Sequence, residues 1–558
     1  MVHTGAELFI DTLEQYDVTH LFGNPGTTEL PIMSAVADSD VEYILALHED
    51  IAVGMAAGYA RTRQWHANDT ADINPVGVVN LHVTPGLAHG LGNLYDASYF
   101  GTGAPIVVTA GAHGIDHQHR EPILHGELVE MADQFCKWSA EVKHIDAMPN
   151  MLRRAFRIAR TPPAGPVFLS LPFDVMTGET DATPDPLGSI PDGGAGDRSQ
   201  IDRAVTRIVE GSEPVLVVGD GIGRVGTPAV EQAVRVAETS GARVVSEFKA
   251  KEVNFPTDHD QWVGSLPDDR ETATELLDGD PLLFVGVISN VPTLPEDIPS
   301  LPPEATCIHV TDNDWELGKN QRADLGILGD PGTVMAALAD RIDDRLNSKE
   351  LSRRLNEATA YANQYGSDSA DAADGPSSIA SKIELAEAVV TAAPEARVVA
   401  ESSTSDGYLK PLLGPEQFIR QRAGGLGFGL PAAVGAALAE DERTDPRDVI
   451  GYIGDGAFLY YPHTLYTAAR YDIDLTVIVC DNRNYRILKD NMLAIYGGSD
   501  ADYEFVGMDF EPPFDIPGNV ETQGASGRLI EAPDAIVPAI EKAIRDAGPN
   551  VLDVRIHD

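Results

Sequence analysis

The chain has 558 residues, 43% of them hydrophobic and 52 of them glycine, which is enough to bury several cores and ordinary for a large α/β enzyme. Its charge is not ordinary: 87 Asp and Glu stand against 40 Lys and Arg, only ten of them Lys, for a net −47. A surface this acidic excludes nucleic acid and anionic membranes as partners, and acids spread along the whole chain read as adaptation to concentrated salt that screens their self-repulsion. Cys136, Cys307 and Cys480 lie far apart and suggest neither a disulfide framework nor a metal knuckle. No basic leader precedes a long apolar segment, and no run of about 18 apolar residues occurs, so no membrane span is expected and the expected location is the cytoplasm.

In chain order, short β-branched runs alternate with longer amphipathic stretches, the pattern of βα units and largely parallel sheets. The expected class is α/β, with three doubly wound parallel-sheet domains. The first covers residues 1–185, with strands at 76–80, 106–109 and 167–170 and a helix over 51–61. Residues 184–197 have linker composition. A central domain spans 198–345, with a strand at 214–218. Behind that strand, Gly219-x-Gly-x-x-x-x-Gly226 is a weak dinucleotide signal, because no well-placed acid stands on the next strand. Residues 346–378 read as a helix followed by an exposed linker, and 379–558 form the third domain.

In that third domain Gly454-Asp455-Gly456 follows the apolar run 449–453, and Asn482 follows a second run, 475–479, 27 residues after Asp455. The spacing suits one strand-helix-strand unit with a polar ligand at each strand end. Parallel strands end on one sheet edge, so Asp455, the Asn482 amide oxygen and a nearby backbone carbonyl can share one small hard cation such as Mg2+, which usually carries a diphosphate. A second copy, Gly219-Asp220-Gly221, has Glu247 at the same offset and no Asn-Arg-Asn behind it; it reads as an ordinary strand-to-helix turn. His113, His117, His119 and His125 crowd one stretch with Glu121, but their spacing fits no tight zinc site, and a solvated or substrate-facing loop is expected.

The chain resembles the thiamine-diphosphate enzymes and, among them, the benzoylformate decarboxylase-like group of 2-oxo acid decarboxylases. Besides the metal pair, the matching blocks are Phe22-Gly23-Asn24-Pro25-Gly26-Thr27, Ile44-Leu45-Ala46-Leu47-His48-Glu49, Asn80-Leu81-His82, Lys137-Trp138-Ser139 and Ala423-Gly424-Gly425-Leu426-Gly427-Phe428, in the family's order. The likeness covers nearly the whole chain and is weakest from about 230 to 400. It implies a pyrimidine-binding, a middle and a diphosphate-binding domain, thiamine diphosphate and Mg2+ as cofactors, and a homodimer or homotetramer in which the cofactor bridges two subunits.

The resemblance also implies roles. Glu49 hydrogen-bonds the cofactor's pyrimidine N1′, Gly424 lets its carbonyl approach the 4′-amino group, and Leu426 is the apolar wedge that bends the cofactor. Ser403 and Thr404 supply donors to the diphosphate beside Gly454 and Gly456. Asn484 completes the metal shell of Asp455 and Asn482 with its backbone carbonyl, and Asn24, Pro25, Gly26 and Tyr485 flank the cofactor. Thr27 hydrogen-bonds the substrate carboxylate and His82 relays protons.

One departure matters. The benzoylformate enzyme has a second active-site histidine, and the corresponding stretch here, 284–291, has none; the resemblance implies Asn290 in its place, and an amide cannot transfer a proton at neutral pH. Residues 485–489 bring a branched aliphatic and extra cations, Arg486 and Lys489, toward the substrate pocket, which points to a smaller or more anionic substrate. The implied function is non-oxidative decarboxylation of a 2-oxo acid. An acetolactate synthase-like carboligase, an FAD-using oxidase and a cofactor-binding protein without turnover stay open.

Overall fold

The computed structural model describes residues 2–70, 73–288, 291, 297–365 and 379–558. Runs of Val, Ile and Leu become central strands because helices cover both faces of a parallel sheet. Three six-stranded sheets result, each wholly parallel. The first holds β1 His20–Gly23, β2 Glu42–Leu45, β3 Gly77–Leu81, β4 Ile106–Ala112, β5 Trp138–Glu141 and β6 Val167–Pro172, in the order β2-β1-β3-β4-β6-β5. The second holds β7 Val215–Val218, β8 Arg243–Ser246, β9 Trp262–Ser265, β10 Leu282–Val285, β11 Cys307–Thr311 and β12 Leu325–Leu328, in the order β9-β8-β7-β10-β11-β12. The third holds β13 Arg397–Glu401, β14 Phe418–Arg420, β15 Val449–Gly454, β16 Leu475–Asp481, β17 Ser526–Ile530 and β18 Pro549–Arg555, in the order β14-β13-β15-β16-β18-β17. Outer sheets one and three thus repeat one winding, and the middle sheet has the order of a dinucleotide fold.

The expected strands all form. The helix expected at 51–61 is longer, Glu49–Asp69, because His48 caps it: His48 Nδ1 accepts the Asp50 N–H at 3.1 Å. This helix is buried almost all round and packs on the helix Gly429–Asp441, buried likewise. The two backbones touch. A Cβ on Gly58 would stand 2.1 Å from Ala432 O, and one on Gly435 would stand 1.9 Å from Met55 O. One apolar core therefore takes side chains from both outer sheets, Phe22, Ile44 and Val79 with Val399, Ile453 and Val477. Against it Trp65 carries the guanidinium groups of Arg61 and Arg397, each 4.9 Å from its ring centroid.

Residues 184–197 are irregular, and Asp197 then caps the helix Arg198–Glu210 by accepting the N–H groups of Ser199 and Gln200. In the stretch expected to open with a helix, Ser348–Tyr365 is helical and held on the middle unit by buried Arg354, which donates to the carbonyls of Ile208, Ser240, Val209 and Gly211. The rest of that stretch, 366–378, lies outside the described residues, as do Asn290 and residue 289 before it. Gly219-Asp220-Gly221 is a strand-to-helix turn leading from β7 into the helix Asp220–Val225. Cys307 and Cys480 are buried, Cys136 is partly buried, and all three are free thiols. Among the described residues no helix is long and apolar enough to cross a membrane.

The contact between the two buried helices leaves no room for a methyl group. Gly435→Ala should lower the melting temperature by roughly 3–10 °C, whereas Gly407→Ala, where a Cβ meets nothing within 4 Å, should not lower it; differential scanning calorimetry of the two variants checks this.

Candidate functional site

The carboxyl ends of β1, β2 and β3 deliver one group of expected residues to a single edge. The 24–29 turn follows β1, Glu49 opens the helix after β2, and His82 follows β3. Glu49 is 7% exposed; Asn24 Nδ2 donates to its Oε1 at 3.4 Å, and His89 Nδ1 lies 3.1 Å from its Oε2. His82 Nδ1 lies 2.8 Å from Oε2 of Glu29, a wholly buried acid that also accepts the Gly26 N–H at 2.9 Å and the Thr28 hydroxyl at 2.6 Å. Gly26 must be glycine here, since a Cβ would stand 2.1 Å from His82 Nδ1. The backbone is strained at the same point: Val83, β-branched, has φ +33°.

The structure adds side chains to this group that the sequence did not single out. The hydroxyl beside His82 is that of Thr28, at 3.3 Å, while Thr27 is exposed at the rim with Pro25. Glu29, which fixes His82, carries no sequence signal of its own, because an acid three residues after Gly26 in a short helix looks like a capping residue. His89 was likewise silent. The histidine stretch forms a loop over a cavity of about 560 Å³ lined in part by Thr84, His113, His119, His125 and Lys143. The one His and Glu group among the described residues whose donor atoms all lie within 4.8 Å is His48, Glu49 and His89. The rings of His48 and His89 stack at 25°, so their in-plane lone pairs do not converge as a tetrahedral ion requires.

The third sheet assembles the second group at its own carboxyl edge. Asp455, 4% exposed, accepts the Gly456 N–H at 2.8 Å and the Arg483 N–H at 2.7 Å. Asn482 Oδ1 accepts the Asn484 N–H at 3.3 Å, and its Nδ2 donates to Asp558 at 2.7 Å. Burial, with Asp481 alongside, pushes the Asp455 carboxyl up to about 8. Asn484 Oδ1 is buried with no hydrogen-bond partner among the described residues. An oxygen-only donor set with a partnerless amide oxygen and a carboxyl held up by burial fits a small hard cation, which would satisfy both. Gly456 is required by Tyr485, whose ring atom Cε1 lies 2.4 Å from where a Cβ would be.

Ser403, exposed, and Thr404, half-buried, stand in the turn after β13. Gly424 has φ +89° and open space where a Cβ would project, so a ligand can approach its backbone. Leu426 packs partly buried on the shared core, and Glu401 holds the far side of its loop by accepting the Gly427 and Gly429 N–H groups, both at 2.7 Å. Arg486 and Lys489 are not free cations: Arg486 pairs with Asp490 at 2.7 Å and Asp500 at 2.6 Å, and Lys489 with Asp509 at 2.6 Å. The extra positive charge expected for an anionic substrate is therefore neutralised by neighbouring acids.

Family models for thiamine pyrophosphate enzymes match at residues 3–135 (N-terminal TPP binding domain), 201–338 (central domain) and 405–554 (C-terminal TPP binding domain). The chain belongs to this family. It is similar to the benzoylformate decarboxylase of Pseudomonas aeruginosa, 31% identical over 491 residues that cover 86% of each chain. A probable acetolactate synthase large subunit of Methanocaldococcus jannaschii is 28% identical, covering 99% of this chain and 92% of the relative. Among solved structures, the thiamine diphosphate-dependent 4-hydroxybenzoylformate decarboxylase of Rhodococcus jostii RHA1 superposes with a TM-score of 0.82 at 28% identity, over 100% of this chain and 99% of that one. The fold is the three-domain α/β fold of the family, and the two groups of residues lie in its two cofactor-binding domains.

Between those domains runs a seam of buried acids. Burial pushes Asp50 up to about 6, Asp96 to about 8 and Glu401 to about 7, with Glu401 and Asp50 adding to the effect at Asp96. Asp50 accepts the Tyr461 hydroxyl at 2.9 Å, and Asp96 Oδ2 is 2.8 Å from where a Gly425 Cβ would stand. Each pKa is raised above its unfolded value, so the stability from these groups is complete below about pH 4 and is lost as pH rises through the folded values, about 6 to 8. Melting temperatures should fall between about pH 4 and pH 8, and Asp96→Asn should flatten that fall; an equal slope in the variant would refute the assignment.

Proposed function

We propose that this family member is a thiamine-diphosphate- and Mg2+-dependent decarboxylase of a 2-oxo acid, of the benzoylformate decarboxylase kind. The observation that carries the reading is the pairing of Glu49 with His82 on one sheet edge, the histidine fixed by buried Glu29. Such an edge offers a carboxyl group for cofactor activation and an imidazole for proton transfer.

Asp455, Asn482 and Asn484 would hold Mg2+, with the diphosphate received by Ser403, Thr404, Gly454 and Gly456 and flanked by Tyr485. Gly424 would present its carbonyl and Leu426 its side chain to the cofactor, while Asn24, Pro25 and Gly26 line the opposite wall. When bound, thiamine diphosphate supplies the electron sink for the pair released as CO2 departs. Glu49 would accept a hydrogen bond at pyrimidine N1′, Thr27 would hold the substrate carboxylate, and His82 would hold or return a proton at the reacting carbon. Glu49 and Asp455 lie in different domains, and we assign the complete site to a homodimer, the minimal unit, or a homotetramer. Carboligation, as in the acetolactate synthase relatives, is the second reading, favoured by the absence of histidine from 284–288.

Isothermal titration should show Mg2+-dependent binding of thiamine diphosphate. Glu49→Gln should reduce turnover at least about a hundredfold with diphosphate affinity retained. CO2 release from a panel of 2-oxo acids, with and without an acceptor aldehyde, separates the readings: aldehyde alone supports the decarboxylase, and a hydroxyketone supports the ligase.

The net charge of −47 leads us to place the protein in concentrated salt, where self-repulsion is screened. Its melting temperature should rise steadily with KCl toward molar concentrations; a flat profile would count against this.

A further inference from the structure

The second Gly-Asp-Gly does more than turn the chain. Asp220 follows β7 and Glu247 follows β8, 27 residues on, and the Asp220 N–H donates to Glu247 Oε1 at 2.8 Å. Both carboxylates are buried, 1% and 0% exposed. Between them sits a guanidinium from the third domain. Arg422 Nη1 is 2.6 Å from Asp220 Oδ2 and 2.9 Å from Glu247 Oε1, and Nη2 donates to Glu247 Oε2 at 3.4 Å and to Phe248 O at 3.5 Å. The acids are themselves fixed: Asp220 accepts the N–H groups of Lys251 and Glu252 and the Asn254 amide, and Glu247 accepts the Ile288 N–H. A planar fork suits two carboxylates, where a lysine would meet them as a point charge.

Arg422 lies two residues before Gly424, in the loop proposed to face the cofactor. That loop contains Gly424 at φ +89° and Gly427 at φ +102°, residues that leave a chain mobile unless it is tied. It is tied at three points. Gln421 accepts the Gly424 N–H at 2.6 Å and donates to Gly425 O at 3.1 Å, Glu401 holds Gly427, and Arg422 anchors the entry in the middle domain.

We propose that the Asp220–Glu247 pair is a built guanidinium site whose role is to hold the 424–427 loop in its cofactor-receiving shape, which makes Arg422 a positioning residue. The inference rests on the cofactor reading above. It assigns the middle domain a part in cofactor affinity. If the loop is ordered in only about a tenth of molecules without the clamp, the apparent affinity falls by about tenfold while the bound state is unchanged.

The test uses the full-length protein in high KCl. Arg422→Gln should raise the thiamine diphosphate Kd roughly tenfold, and Arg422→Lys by less, with kcat at saturating cofactor within about threefold of the parent. In the cofactor-free protein, amide exchange at Gly424 and Gly427 should accelerate by a similar factor, with exchange around Glu29 and His82 unaltered. Because Arg422→Gln removes the cation between two buried acids, the triple change Asp220→Asn, Glu247→Gln, Arg422→Gln serves as the folded alternative and should show the same loss of affinity. A folded variant of either kind with Kd within about twofold of the parent and unchanged loop exchange overturns the proposal, as does failure of both to fold, which would make the clamp a folding element only. If the parent binds no thiamine diphosphate, the cofactor reading fails first, a result that variant data alone could not produce.

Discussion

Two helix backbones in contact, at Gly58 against Ala432 and Gly435 against Met55, set the distance between the outer sheets. No side chain intervenes, so the separation cannot relax without moving a whole sheet. The same helices begin at the chemistry. Glu49 is the first residue of one, and the other starts at Gly429, just after the loop of Gly424 and Leu426. Side chains from both sheets then fill one core around the pair, so the carboxylate edge of the first domain and the glycine loop of the third are positioned by one packed unit rather than by two domains free to drift.

That arrangement has an electrostatic cost. The closeness that brings the helix starts together also buries Asp50, Asp96 and Glu401 along the seam, each with its carboxyl raised by burial. Hydrogen bonds satisfy two of them, Tyr461 and the Asn93 N–H on Asp50 and the loop amides on Glu401, while Asp96 Oδ1 has no hydrogen-bond partner among the described residues. Arginines answer burial elsewhere. Arg397 meets Glu440 and stacks on Trp65, and Arg354 fixes a helix through four carbonyls. Both arginines tie separate elements together.

The outer sheets wind identically and each ends its strands in turns that carry proposed cofactor residues; the middle sheet winds differently, and its Gly-Asp-Gly turn meets Arg422 instead. Asp455 with Asn482 forms an oxygen-rich pair at a strand edge suited to a hard cation, whereas Asp220 with Glu247 receives Arg422. The difference is one of charge. A neutral amide opposite Asp455 leaves net charge for one ion shared with phosphate oxygens, whereas two carboxylates facing a neighbouring domain are best matched by a delocalised cation carried on that domain.

Much of this was legible without coordinates. Runs such as 106–109, 167–170 and 475–479 are hydrophobic on both faces, which only a covered parallel strand explains, and Gly-Asp-Gly with Asn482 at 27 residues marks a strand edge whatever surrounds it. Local pattern therefore determined the three-sheet class, the strand ends and the position of Asp455, while Glu49 and His82 were singled out by the resemblance to a family. Glu29 under His82, Thr28 beside it, the reach of Arg486 to Asp500 and of Lys489 to Asp509, and the clamp on Arg422 were decided by tertiary structure. Their partners are remote in sequence or sit on a facing strand, and a carboxylate's role depends on which donor reaches it, which periodicity along the chain does not encode.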